Sequence, residues 1–283
     1  MSIQSIGVIG AGMMGNGIAQ VCAVAGLNVT MVDISDAAVE RGLATLSSSL
    51  DRLVKKDKLS ADAKAAAMAR VKGSTRYEDL VGAQMVIEAA TENLEIKLRI
   101  LRQIDSLVSA DTVIATNTSS ISITQLAAVV NHPERVIGMH FFNPVPLMAL
   151  LEIIRGLQTS DATHDLAVAF AKAVGKTPLS VKNAPGFVVN RILCPMLSEA
   201  IFVLQEGLAT AEDIDAGMKL GCNHPIGPLA LADMVGLETL LAIMDVFYEG
   251  FGDPKYRAPQ LLREKVAAGH YGRKNGRGFY TYA

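Results

Sequence analysis

Apolar and polar positions alternate between two rhythms along this chain. Residues 3–9 form a short apolar run of strand length, a helical repeat follows over 14–25 and stops at Gly26, and a second apolar run at 28–32 ends on Asp33. Residues 36–71 carry a longer helical repeat interrupted near Leu59-Ser60, which predicts a pair of helices. Further strand-length runs stand at 85–89, 112–116, 135–140 and 149–154, with helical stretches between most of them. Strand-helix-strand alternation requires crossover helices and therefore parallel pairing, so the predicted fold class is α/β with an N-terminal doubly wound sheet.

The rhythm changes at Asn183-Ala184-Pro185-Gly186, where Pro and Gly punctuate the chain. Beyond it only helical patterns remain, at 187–208, 212–220 and 228–247. The expected organisation is a domain over 1–184, with the helix pair inserted after its second strand, and an all-helical domain over 185–283. In the first helix of that second domain Ile192, Met196, Leu197, Ala200, Val203 and Leu204 recur at helical spacing. Such a stripe fits an internal core or a subunit interface, because so much apolar helix surface is hard to bury in a domain this small.

Composition narrows the function classes. The 283 residues are 50% hydrophobic with a net charge of −2, which leaves no basic excess for a nucleic-acid backbone. No apolar run reaches the length that spans a bilayer. Cys22, Cys194 and Cys222 lie far apart with no metal-type spacing, so all three read as small buried hydrophobes in a reducing compartment. With no cationic leader ahead of the first strand, the expectation is a cytoplasmic protein.

The candidate chemistry begins at Gly10-Ala11-Gly12-Met13-Met14-Gly15, a GxGxxG pattern that follows a strand and opens a helix. Gly10 permits the tight turn, Gly12 lets the backbone approach a pyrophosphate, and Gly15 allows close helix–sheet packing, as in a Rossmann-type dinucleotide site. The helix N-terminus adds free N–H groups and a positive dipole end. Asp33, 18 residues after Gly15, can accept hydrogen bonds from ribose hydroxyls and repel a 2′-phosphate, favouring NAD over NADP. A flavin site or a purely structural glycine turn is the alternative.

Three polar residues are candidates for catalysis at strand ends. Ser119 follows the run at 112–116, His140 ends the run at 135–140, and Glu152 lies in the run at 149–154. If the last two strands turn back near Pro146, residues 140 and 152 stand about opposite each other. The carboxylate then fixes the imidazole tautomer and strengthens it as a base for a hydroxyl proton. A lone strand-end histidine is ordinarily structural; its place beside a dinucleotide motif reverses that judgement. His132, His164, His224 and His270 show no comparable carboxylate arrangement, and no cluster has metal-ligand spacing.

Several longer motifs then carry a resemblance. GAGMMGNGIA at 10–19, EAATEN at 88–93, ATNTSS at 115–120, GMHFFNPVP at 138–146, KNAPGFVVNRI at 182–192 and LGCNHPIGPLALAD at 220–233 resemble the L-3-hydroxyacyl-CoA dehydrogenase family in its short stand-alone form. The resemblance covers nearly the whole chain. It implies His140 as general acid/base, Glu152 as its carboxylate partner, Ser119 at the substrate oxygen near C3, and Asn190 holding substrate or developing enolate-like charge. It further implies cofactor contacts at Asp33, Glu92, Lys97, Ser119 and Asn143 beside the glycine loop with Met13 and Met14. A coenzyme A nucleotide would lie against Ser49, Arg52 and Lys56, and a homodimer would form through the helical domain. For Lys56 and its neighbours the residues alone suggest only a solvated helix end. A sister dehydrogenase of a free hydroxy acid or sugar acid, and a non-catalytic NADH-binding sensor, are the competing readings; a sensor has no need of Ser119, His140, Glu152 and Asn190 together.

Overall fold

The computed structural model describes residues 3–282. The chain divides into two compact units, Met1–Ala184 and Pro185–Ala283.

The first unit is an eight-stranded sheet. Strands β1 (Ser5–Ile9), β2 (Asn28–Val32), β3 (Val71–Ser74), β4 (Met85–Glu88), β5 (Val113–Thr116), β6 (Val136–Phe141), β7 (Leu150–Arg155) and β8 (Thr177–Lys182) lie in the order β3-β2-β1-β4-β5-β6-β7-β8. Every neighbouring pair is parallel except β6 and β7. The order reverses direction between β1 and β4, the crevice where open α/β sheets bind ligands.

Helices α1 (Met13–Val24), α2 (Asp36–Val54), α3 (Ala61–Ala69), α4 (Leu94–Leu107), α5 (Ile123–Ala127) and α6 (Asp161–Ala173) cover both faces. Strand residues Val8, Met31, Ile87, Ala115, Met139 and Ile153 share a buried cluster with Ile18 and Cys22 of α1, Leu46 and Leu50 of α2 and Phe170 of α6. Ile100, Leu101 and Ile104 of α4 and Ile123 and Leu126 of α5 are buried on the opposite side. Gly138, one residue from Met139, shows the alternation: a Cβ there would meet Ile123 at 2.8 Å. Ser35, Ser60, Asn93, Ser122 and Ser160 each cap a helix by accepting a backbone N–H three residues on, which fixes where the polar-apolar repeat becomes a helix.

Two strands, β3 and β8, have no counterpart in the sequence pattern. Both are edge strands, largely solvent-facing, so neither needs the continuous apolar run of a buried strand. The first strand starts at Ser5, not residue 3, because pairing begins where Ser5 meets Asn28.

The second unit is helical: α7 (Val189–Gln205), α8 (Ala211–Cys222), α9 (Pro228–Val235), α10 (Leu237–Phe251) and α11 (Gln260–Ala267). The repeat over 228–247 is two helices, because Gly236 adopts φ +101° and breaks the turn between α9 and α10. Cys194, Leu197 and Ile201 of α7 enclose a core with Leu229, Leu240, Met244, Phe247 and Leu262. Ile192, by contrast, is 68% exposed. Two buried carboxylates lock the C-terminal segment. Asp233 accepts from the backbone N–H groups of Phe279 and Tyr280 and from the Tyr282 hydroxyl. Asp215 accepts from Leu229 N, Ala230 N and the Tyr280 hydroxyl. Cys22 and Cys194 are buried as expected, but Cys222 is exposed: it is the last residue of α8, followed by Asn223 in a left-handed cap. Among the described residues no helix is long and apolar enough to cross a membrane.

Candidate active site

The glycine loop is built by close approach. Gly10 has φ +100°, and a Cβ on it would stand 2.6 Å from the Ala89 carbonyl oxygen; one on Gly15 would overlap the Gly10 carbonyl. Gly12 differs, since a Cβ there would meet nothing within 4 Å. Its smoothness is unused by the protein's own packing and leaves the backbone open to a ligand. Gly12 also caps α1 without any side-chain hydrogen bond, and the first turn holds no acid. The helix N–H groups are thus left to an incoming anion, so the residues present fit a dinucleotide pyrophosphate.

Asp33 does more than the sequence indicates. One carboxylate oxygen accepts the Ala11 N–H at 2.6 Å and the other the Ile34 N–H at 2.7 Å, tying the end of β2 to the glycine loop. Asp33, Gly12, Met13 and Asn143 line a cleft of about 620 Å³, and Ser49 and Arg52 of α2 stand on its wall. Met14 is half-buried against the core. Lys56 lies beyond the end of α2, exposed and off the cleft wall.

The catalytic candidates of the first unit gather at adjacent strand ends. Thr116 of β5 pairs with Gly138 of β6, so Ser119 and His140 leave neighbouring strands on the same edge of the sheet. Glu92, in the loop after β4, accepts from the Thr118 hydroxyl and from Ser119 N–H, both at 2.7 Å, which fixes the Ser119 loop. Asn117 accepts the Phe141 N–H at 2.9 Å and clamps β5 to β6. On the antiparallel side His140 stands opposite Glu152 in register, and His140 Nδ1 lies 2.7 Å from Glu152 Oε2. Glu152 is fully buried and His140 only 6% exposed. Phe142, the first residue past the strand, packs its ring against the imidazole with centroids 4.5 Å apart. His140 is the penultimate residue of its strand, since pairing extends to Phe141 with Leu151.

Lys97 stands beneath this edge. Its side chain is 1% exposed, and its ammonium group is bonded to Glu88 at 2.5 Å and to the Thr116 hydroxyl at 3.3 Å, while Glu88 also accepts the Ala90 N–H. Glu88 and Asn117 are structural members of the site that sequence reasoning missed. Both fall inside motifs that carried the family resemblance, which is the one signal available, because a single polar residue gives no periodic trace. Asn190 belongs to the other unit, the second residue of α7 and half-buried. Two of the remaining histidines have carboxylate neighbours: His132 Nδ1 lies 3.3 Å from Glu134 and His164 Nδ1 3.2 Å from Asp165. Those acids are largely exposed, so neither pair matches the enclosure of His140 and Glu152.

A nucleotide cradle and an enclosed proton acceptor at one sheet edge suit hydride transfer to a dinucleotide, the chemistry of NAD-dependent dehydrogenases. Comparison with known proteins narrows the class. Residues 5–184 match the 3-hydroxyacyl-CoA dehydrogenase NAD binding domain, and residues 186–282 match the C-terminal domain of the same enzyme. The chain is 48% identical over 280 residues to a 3-hydroxybutyryl-CoA dehydrogenase of Bradyrhizobium diazoefficiens, covering 99% of this chain and 96% of that one. It is 47% identical to the Clostridioides difficile enzyme of the same name, covering 99% of each. The crystal structure of (S)-3-hydroxybutyryl-CoA dehydrogenase PaaH1 from Ralstonia eutropha superimposes with a TM-score of 0.98 at 66% identity over 100% of both chains. The chain belongs to the 3-hydroxyacyl-CoA dehydrogenase family.

Proposed function

We propose that this protein interconverts (S)-3-hydroxyacyl-CoA thioesters and their 3-keto forms, acetoacetyl-CoA among them, with NAD as cofactor. The observation that carries this reading is the buried His140–Glu152 pair on the same sheet edge as the glycine cradle. Similarity over full length to proteins named for this reaction supports it.

NAD, when bound, supplies the acceptor for a hydride from C3 of the substrate. Glu152 accepts the Nδ1–H of His140, so the tautomer is the one in which Nε2 carries the lone pair. His140 Nε2 takes the C3 hydroxyl proton as C3 becomes a carbonyl, and returns it in the reverse direction. The imidazolium formed is stabilised by the Glu152 carboxylate at 2.7 Å. Ser119, held by Glu92, donates to the substrate oxygen on C3. Asn190 holds the thioester or the charge that develops next to it. Ser49 and Arg52 on the cleft wall receive the coenzyme A nucleotide, with Lys56 beyond the helix end as a solvent-side cation.

The same reading includes a homodimer formed through the helical unit and action in the cytoplasm. The exposed apolar side chains Ile192 and Leu220, at 68% and 87%, supply surface for the dimer. The buried thiols of Cys22 and Cys194 suit a reducing compartment. Sedimentation at twice the 30.0 kDa chain mass is expected; a monomer at micromolar concentration would remove the dimer.

The deciding experiment is NADH oxidation with acetoacetyl-CoA, beside free acetoacetate and a His140→Ala variant. Turnover of the thioester alone, lost in the variant, is the expected result. Equal turnover of the free acid would move the protein to the hydroxy-acid dehydrogenases, and NADH binding without turnover of either would make it a sensor.

A further inference from the structure

The loop of residues 142–149 joins the strand of His140 to the strand of Glu152 and contains no charged residue. It carries Asn143, and Asn143 to Pro146 form one wall of the 620 Å³ cleft. Two of its eight residues, Pro144 and Pro146, have no backbone N–H to give. Its internal bonds are few: Leu147 and Met148 N–H both reach the Pro144 carbonyl. One anchor is steric. Val145 is 2% exposed and lies against Gly17 of α1, where an added Cβ would come within 2.9 Å of the Val145 Cβ.

A second anchor is Lys176, in the turn between α6 and β8, next to Thr177, whose N–H donates to the Ala149 carbonyl at 2.7 Å. Lys176 shares the wall of a mostly apolar pocket with Val21, Ala173 and Val174. Its ammonium group donates to the Val145 carbonyl at 2.5 Å and the Met148 carbonyl at 2.7 Å. Lys176 is 8% exposed, and burial pushes its pKa below the ordinary lysine value. Burying a cation against backbone carbonyls is costly, and a fold that needed only to fill this space would place a methionine there. What an ammonium adds is two charge-assisted, directed bonds to carbonyls that are three residues apart in one loop.

We propose that Lys176 is a positioning residue of the active site: its ammonium group pins the loop between His140 and Glu152, and so sets Asn143 and the cleft wall for the cofactor. This rests on the dehydrogenase reading above, because the loop acts on NADH binding and turnover. Lys176 touches neither reactant; it acts through the Val145 and Met148 carbonyls.

The test compares Lys176→Met, which keeps the stem and removes the donors, with Lys176→Arg, which keeps charge and donors. Amide hydrogen exchange of the ligand-free protein is read in peptides covering 142–149 and in peptides of β1, β4 and β5. NADH affinity is read by its fluorescence, and KM and kcat with acetoacetyl-CoA. In Lys176→Met we expect exchange about ten-fold faster in the loop and unchanged in the central strands. The Kd and KM for NADH should rise about ten-fold, with kcat falling less, and Lys176→Arg should recover a large part of both. Unchanged loop exchange, exchange faster throughout the unit, or an unaltered NADH affinity would each overturn the proposal. If the wild-type chain binds NADH but turns over no thioester, the functional reading fails by itself, and loop exchange with NADH affinity still decides the role of Lys176.

Discussion

Replacing Glu152 with glutamine tests the chemistry at its most enclosed point. The change keeps shape and volume, and Glu152 is fully buried, so no water is at hand to substitute for the lost charge. The carboxylate accepts from His140 Nδ1 at 2.7 Å, and its charge matters most when the imidazole carries the substrate proton. A hydrogen bond to a charged group contributes about 1.5–3 kcal/mol. At about 1.4 kcal/mol per factor of ten, kcat should fall by roughly 10- to 150-fold. Because the interaction strengthens only as the proton moves, KM for acetoacetyl-CoA should stay within about two-fold. The assay is steady-state NADH oxidation, with circular dichroism to show that the fold is kept. A His140→Asn variant supplies the second arm: once the base is gone, adding Glu152→Gln should cost almost nothing further, since the pair acts as a unit. Full activity in Glu152→Gln, a loss confined to KM, or additive losses in the double variant would each refute the reasoning.

Three other outcomes are expected. Asp33→Ala removes the proposed ribose acceptor and the tie to Ala11 N–H, so KM for NADH should rise about ten-fold or more while discrimination against NADPH relaxes; unchanged cofactor preference in paired assays would count against it. Lys97→Met leaves the Glu88 carboxylate buried and unpaired, costing about 3–5 kcal/mol and lowering the melting temperature on the order of 10 °C, whereas Lys97→Met with Glu88→Leu should recover most of that loss. The Tyr280 and Tyr282 phenols are half-buried and bonded to carboxylates, and desolvation together with those bonds raises both pKa values above the ordinary value near 10. A group whose folded pKa is raised gives the folded state its full contribution below the unfolded pKa near 10 and loses it as pH rises beyond, so the helical unit should weaken as pH climbs past about 10, and Tyr280→Phe should shrink that alkaline loss in denaturation curves.

Much of the first unit is written in local pattern. β2 is bounded as its apolar run reads, and β1, β4, β5, β6 and β7 lie within a residue or two of theirs, because buried parallel strands must be continuously apolar. The glycine turn and Asp33 are legible for a similar reason: a backbone that must pass within van der Waals distance of Ala89 and of itself tolerates no side chain. Even the facing of His140 and Glu152 follows from residue counting, once the turn falls near Pro146.

What the sequence could not determine depends on contacts between distant positions. β3 and β8 form because a neighbouring strand offers unpaired backbone groups at the sheet edge, and that offer leaves no apolar trace in their own residues. Gly236 ends a helix inside an unbroken apolar repeat, since a backbone φ of +101° is invisible in hydrophobicity. Glu88 and Lys97 are single charges nine residues apart that only burial turns into a pair. Lys176 is one lysine among many until α6 and β8 set it under carbonyls about thirty residues earlier in the chain. Periodicity and sterics are properties of neighbouring residues, so the sequence by itself determined the buried strands, most of the helices and the glycine turn. Burial and polar satisfaction are properties of the packed unit, and only the tertiary structure decided which polar groups hold the site in place.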